Sequence, residues 1–237
     1  MHTFIMRVFI SGLAGLILCG TTDAQIDANK FPVGPGNLCV TEGAIEKASS
    51  GHLAVDVPKM RAYVNGWASQ AIEARFTYLG PTAEESSLAS GETRRQFGLK
   101  LHAANSCNLV YAMWRIGPES KIVISVKSNP GQSKSSECGN HGYRTIKATN
   151  GMAVPALRPG DTHTLGTEMN GDELRVFIDR TLAWEGRVGA EAAELRGPVG
   201  IRSDNVRLSF DLNAGEYVGV HPQYMLACQG GPELQEE

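Results

Sequence analysis

Apolar and polar residues alternate with a period of two along much of this chain, most clearly between Asp172 and Leu212. Leu174, Val176 and Ile178 alternate with Arg175, Phe177 and Asp179, and Leu182 and Trp184 resume the pattern after Asp179-Arg180. This predicts a hairpin with one buried face. After a short acidic, alanine-rich connection, Val206, Leu208, Phe210 and Leu212 alternate with Arg207, Ser209 and Asp211. Each strand thus has an apolar face and a wet one, as in an antiparallel sheet packed on one side.

The same period recurs upstream. Ile72, Ala74, Phe76 and Tyr78 predict a strand over 70–79 that Gly80-Pro81 ends, and residues 82–93, small, acidic and serine-rich, predict an exposed loop able to rim a binding face. Segments 95–102, 109–116 and 121–127, separated by turn residues, predict an antiparallel meander. Residues 128–147 begin as a long loop and return as a strand at Tyr143, and His163 starts the strand leading into the hairpin. Residues 42–50 are weakly helical and 52–57 strand-like.

The apolar run from Val8 to Leu18, preceded by His2 and Arg7 and followed by Thr22-Asp23-Ala24, predicts an export signal cleaved after Ala24, too short for a membrane span. The mature chain is then secreted or periplasmic. A lipid anchor at Cys19 is disfavoured because Leu18 stands where a small residue precedes a modified cysteine. The remaining divisions are a flexible lead-in over 25–37, one domain over 38–228 and a tail over 229–237. The formal net charge of -3 and the lack of a basic run exclude nucleic acid as the expected partner. Cys39, Cys107, Cys138 and Cys228 form an even set in an exported chain, which predicts two disulfides rather than a metal site.

The tight turn, the short loop and the closing strand introduced by Gly197-Pro198-Val199-Gly200-Ile201-Arg202 resemble the last hairpin and closing strand of the concanavalin A-like, or laminin-G-like, jelly-roll families. Arg180 stands where those families usually place glycine. Extended to Ser203, the motif is also similar to the domain family named for 3-keto-disaccharide hydrolase. The resemblance implies an all-β antiparallel β-sandwich, a jelly roll of the concanavalin A-like type. It also implies the pairings Cys39 with Cys228, because jelly-roll ends meet on neighbouring strands, and Cys107 with Cys138.

In those families saccharides lie across the concave face of one sheet. Projecting the alternation gives a polar face of Arg75, Gln96, Lys100, His102, Tyr111 and Arg115, with Glu73 beside Arg75 and with His141, Tyr143 and Arg144 overhanging it. The expected partner is a polysaccharide or oligosaccharide, bound by an exported module without a cofactor. Calcium would need more oxygen ligands than Asp204-Asn205 supplies. The alternatives are a glycoside hydrolase or polysaccharide lyase on the same face, or a structural or protein-binding domain. The paired carboxylates of a glucanase strand and the contiguous Arg, Gln-His and Tyr motifs of the lyases are absent. Glu73, Glu119, Glu137 and Asp161 remain as candidate carboxylates from separate strands. Trp114 and Trp184 share parity with core residues, whereas Trp67 is the better candidate for a sugar-stacking platform.

Overall fold

The computed structural model describes residues 30–48 and 50–219 of the 237. The predicted signal, the cleavage site, Cys19, Cys228 and the tail over 229–237 lie outside the described residues. The chain runs through β1 (Phe31–Val33), β2 (Leu38–Glu42), β3 (Glu46–Lys47), β4 (Leu53–Val55), β5 (Lys59–Val64) and β6 (Ala71–Pro81). The meander follows as β7 (Arg95–Asn105), β8 (Asn108–Gly117) and β9 (Lys121–Lys127), then α1 (Ser135–Cys138), β10 (Tyr143–Ile146) and β11 (Asn150–Gly151). The hairpin region supplies β12 (Thr162–Asn170), β13 (Glu173–Ile178), β14 (Thr181–Arg187), α2 (Ala190–Glu194), β15 (Gly200–Asp204) and β16 (Val206–Ala214).

These strands form two antiparallel sheets, the jelly-roll sandwich that the resemblance implied. The larger has the order β11-β14-β13-β12-β6-β16-β4-β3, with β1 also on β16, and the seven-stranded sheet has the order β10-β9-β8-β7-β15-β5-β2. Their inner faces share one core. Phe76 of the larger sheet meets Phe97 at 5.0 Å and Trp114 at 5.6 Å between ring centroids, and Phe97 meets Phe210 at 6.1 Å. Trp114 and Trp184 are buried in that core, as their parity requires.

The hairpin turn has positive φ at both Asp179 (51°) and Arg180 (67°), which suits the twist of a two-residue hairpin. Arginine tolerates the position without glycine because Asp179 anchors the turn. Its carboxylate accepts from the Thr164 amide at 2.8 Å and pairs with His163 at 2.6 Å.

The weak helical tendency over 42–50 is not realised: β2 ends at Glu42, and Glu46–Lys47 pair with Ala54 and Leu53. The chain leaves β2 through Gly43 at φ +71°, where a Cβ would fall 2.0 Å from the Lys59 carbonyl oxygen. A left-handed residue under backbone cannot continue a helix. The segment read as a lead-in contributes β1, which pairs with Leu212–Ala214.

The Cys107–Cys138 disulfide forms as expected, with a Cα separation of 5.9 Å. Cys39 is also disulfide-bonded, while the pairing expected for it involves Cys228, outside the described residues.

Candidate functional site

On the outer face of the seven-stranded sheet a groove of about 270 Å³ crosses β10, β9, β8, β7, β15 and β5. Alternation places Gln96 and Gly98 of β7, Tyr111 and Met113 of β8, Ser125 and Lys127 of β9, Tyr143 of β10, Arg202 of β15 and Arg61 of β5 on this side. Gly98 is needed there. A Cβ would lie 2.4 Å from the Ala112 carbonyl oxygen and 2.6 Å from the Met113 sulfur.

Beneath the groove the Asp204 carboxylate is fully buried and receives three donors: Arg61 Nη2 at 2.6 Å, Gln96 Nε2 at 2.6 Å and Arg202 Nε at 2.9 Å. Burial by itself would raise the Asp204 pKa. The Arg202 and Arg61 charges and the Gln96 hydrogen bond outweigh it, and hold the carboxyl well below the usual carboxylate range. The Arg202 guanidinium is opposed by its own burial, yet Asp204 carries it above the ordinary arginine value.

From this anchor an ordered series of rings and cations crosses the sheet. The Arg202 guanidinium lies 5.0 Å from the Tyr111 ring centroid, Tyr111 stacks on Tyr143 at 6.2 Å and 25°, and Lys127 Nζ lies 5.1 Å from the Tyr143 ring. Tyr111 is 6% exposed and Tyr143 42%, so the buried ring backs the accessible one. Lys127 Nζ also donates to the Ser106 carbonyl at 3.1 Å.

Loops close the ends of the groove. Asn205, at φ 55°, carries the chain from one sheet to the other. Its side chain accepts from the Ser86 amide and donates to the Ser86 and Arg94 carbonyls, pinning the 82–94 loop so that Leu88, Ser90 and Arg94 form one rim. The other rim, Ser135 to Asn140, is tied to the β7–β8 turn by the Cys107–Cys138 disulfide. There the Asn129 side-chain amide donates to the Cys107 and His141 carbonyls.

The structure therefore brings Gln96, Tyr111 and Tyr143 together, with Lys100 on the same face, its amine 4.0 Å over the Tyr63 ring. Arg115 lies opposite Gln96 in the β8 register. Three of the expected residues stand elsewhere. Arg75 is exposed on β6, in the other sheet, because consecutive strands β6 and β7 belong to opposite layers. His102, at φ 49° inside a register shift, leaves the alternation and bonds the Ala192 carbonyl at 3.3 Å and Gln70 Oε1 at 3.0 Å. His141 does not line the groove, although Asn140 and Tyr143 do.

Trp67 does not line this groove: it packs between Phe31 and Tyr217 and donates to the Gly215 carbonyl at 3.0 Å.

The cations missed from sequence are Lys59, Arg61, Arg94, Lys127 and Arg202 of the groove, with Asp204 buried beneath them. One signal was present, since Arg202 and Asp204 are opposite charges on one face of a strand.

The carboxylates considered for hydrolysis serve elsewhere. Glu73 pairs with Lys30, Glu119 with Lys121, Glu137 accepts from the Ser133 and Lys134 amides, and Asp161 accepts from the Arg158 amide. Asp204 is held ionised and so cannot act as a general acid. Among the described residues, no group of His, Cys, Asp and Glu is placed to hold a metal, and no helix is long and apolar enough to cross a membrane.

No protein-family model matches the chain, and no curated protein matches it. Among solved structures it is similar to the carbohydrate binding module CBM66 from Bacillus subtilis, at 12% identity and TM-score 0.49 over 73% of this chain and 91% of that one. It is also similar to the Caenorhabditis elegans galectin LEC-6, at 11% identity and TM-score 0.39 over 78% and 99%. A third likeness is domain 4 of AbnA, an extracellular arabinanase from Geobacillus stearothermophilus in complex with arabinotriose, at 10% identity and TM-score 0.41 over 81% and 88%. At these scores the chemistry of the groove has to be read from its own residues.

Proposed function

We propose that the chain is an exported carbohydrate-binding module that takes a saccharide in the groove of the seven-stranded sheet. The observation that carries this reading is the series Lys127, Tyr143, Tyr111, Arg202, Asp204 and Arg61, in which an accessible ring is braced by buried polar and charged groups. Sugars present CH-rich faces and outward hydroxyls. A ring platform with fixed donors at its side meets both needs. Rigidity matters because ordering side chains on binding subtracts from affinity, and every member of the series is already held by a neighbour. With Asp204 committed to Arg61, Gln96 and Arg202, the described residues of the groove offer no paired acid and nucleophile of a glycosidase, and binding without turnover is the expected behaviour.

The experiment is a glycan-array screen of the oxidised protein beside the Tyr143→Ala variant, with the bound glycans checked for cleavage. Retained glycans that the variant loses, without products, support the module. Products would move the protein to the enzymes.

A further inference from the structure

We infer that the groove selects anionic saccharides, carrying carboxylate or sulfate on their rings, over neutral ones. The inference rests on the glycan-binding reading above and specifies its ligand class. Among the described residues, Lys59, Arg61, Arg94, Lys127 and Arg202 line the groove against a single lining carboxylate, Glu42, in a chain whose formal net charge is -3. Asp204 beneath them offsets part of this charge, but it is fully buried and already shared between Arg61 and Arg202. The surface field of the groove is therefore opposite in sign to that of the whole chain, and a recessed, low-dielectric wall focuses such a field.

Arg94 and Arg115 point to where the anion sits. The Nε atoms of both are buried, and neither has a hydrogen-bond partner among the described residues. Among the described residues the Arg94 guanidinium hydrogen-bonds only at its tip, to Glu92, a side chain 54% exposed, and such rim pairs contribute little. Burial, then the charges of Arg115 and Arg202, push the Arg94 guanidinium below its ordinary pKa. Like charges gathered beside too few anions are relieved by an anionic ligand, and guanidinium groups match carboxylate and sulfate oxygens in pairs. The Tyr143 platform would then seat the sugar ring that carries the anion.

The test is calorimetric binding of the oxidised full chain to length-matched neutral, uronate-bearing and sulfated oligosaccharides of several linkages, with single-stranded DNA as a further arm. Each is measured in dilute buffer and at about 0.5 M salt, where exposed charges are largely screened. The expected result is an advantage of about tenfold or more for an acidic over the neutral oligosaccharide in dilute buffer, lost at high salt. The acidic arm that binds tighter identifies carboxylate or sulfate. Arg94→Gln with Arg115→Gln should weaken acidic binding by about tenfold and reduce its salt dependence. The salt comparison on the unaltered protein decides the matter even where that variant fails to fold. Equal, salt-independent binding of neutral and acidic sugars overturns the inference and leaves the groove a glycan site. Binding of no sugar, or tighter binding of DNA, overturns both.

Discussion

Arg61 Nη2 donates to Asp204 Oδ1 at 2.6 Å across neighbouring strands β5 and β15, joining residues 143 positions apart in the chain. The same guanidinium donates through Nη1 to the Met60 and Ser203 carbonyls at 2.9 Å. Asp204→Asn keeps the shape and removes the charge that balances Arg61 and Arg202. Breaking a buried pair in this way leaves uncompensated charge and is expected to cost about 3 to 5 kcal/mol. Urea unfolding checks this, and a loss under 1 kcal/mol would remove Asp204 as the anchor.

Acid stability follows from the same carboxylate. Its folded pKa is depressed, so between the folded and unfolded values the unfolded chain binds the extra proton. Its contribution is full above the unfolded value of about 3.9 and declines as pH falls below it. Melting temperatures taken downward from pH 5 should fall more steeply for the unaltered chain than for Asp204→Asn.

His102 acts at a higher pH. Burial lowers its pKa, Arg196 adds to this, and the Ala192 hydrogen bond opposes it. The folded imidazole resists protonation, so stability falls as pH drops below the unfolded value of about 6.5. His102→Gln, which can still meet Gln70, should flatten the stability profile from pH 7 to pH 5 without altering glycan binding. A change in binding would return His102 to the site.

The two stacked tyrosines should separate binding from stability. Tyr143→Ala, at an exposed ring, is expected to abolish saccharide binding and cost less than about 1 kcal/mol of stability. Tyr111→Ala, at a buried ring, should cost roughly 3 kcal/mol. Chemical denaturation and calorimetry on the pair of variants test this, and the reverse order of stability losses would contradict it.

The disulfide holds the rim formed by Ser135 to Asn140. Replacing Cys107 and Cys138 by alanine frees a sequence separation of 31 residues, a loss of about 3 to 4 kcal/mol if chain entropy dominates. Because Gly139 and Asn140 line the groove, affinity should fall as well. Unaltered affinity in the folded double variant would show that the rim does not contact the ligand.

How far the site was legible depended on which signal each residue carries. Gln96, Lys100 and Tyr111 could be assigned to one face because β7 and β8 are consecutive, hairpin-like neighbours, where parity transfers directly. Arg75 was misplaced because parity tells which side of its own sheet a residue faces and not which sheet the strand joins. His102 was misplaced because a positive φ within a register shift breaks the period-two rule locally. Arg61 and Arg202 went unread because β5 and β15 meet only through a long-range pairing that no local pattern announces.

The alternation of apolar and polar residues by itself determined the main strands, their inward faces and the Asp179-Arg180 turn, because burying one face of a pleated strand is a local constraint with a period of two. Only the tertiary structure decided the layer assignment, which placed β15 between β5 and β7 and so set Asp204 between Arg61, Gln96 and Arg202. Strand order is chosen by the packing of both sheets on one core, and charges far apart in the chain become a site only once that packing has brought their strands together.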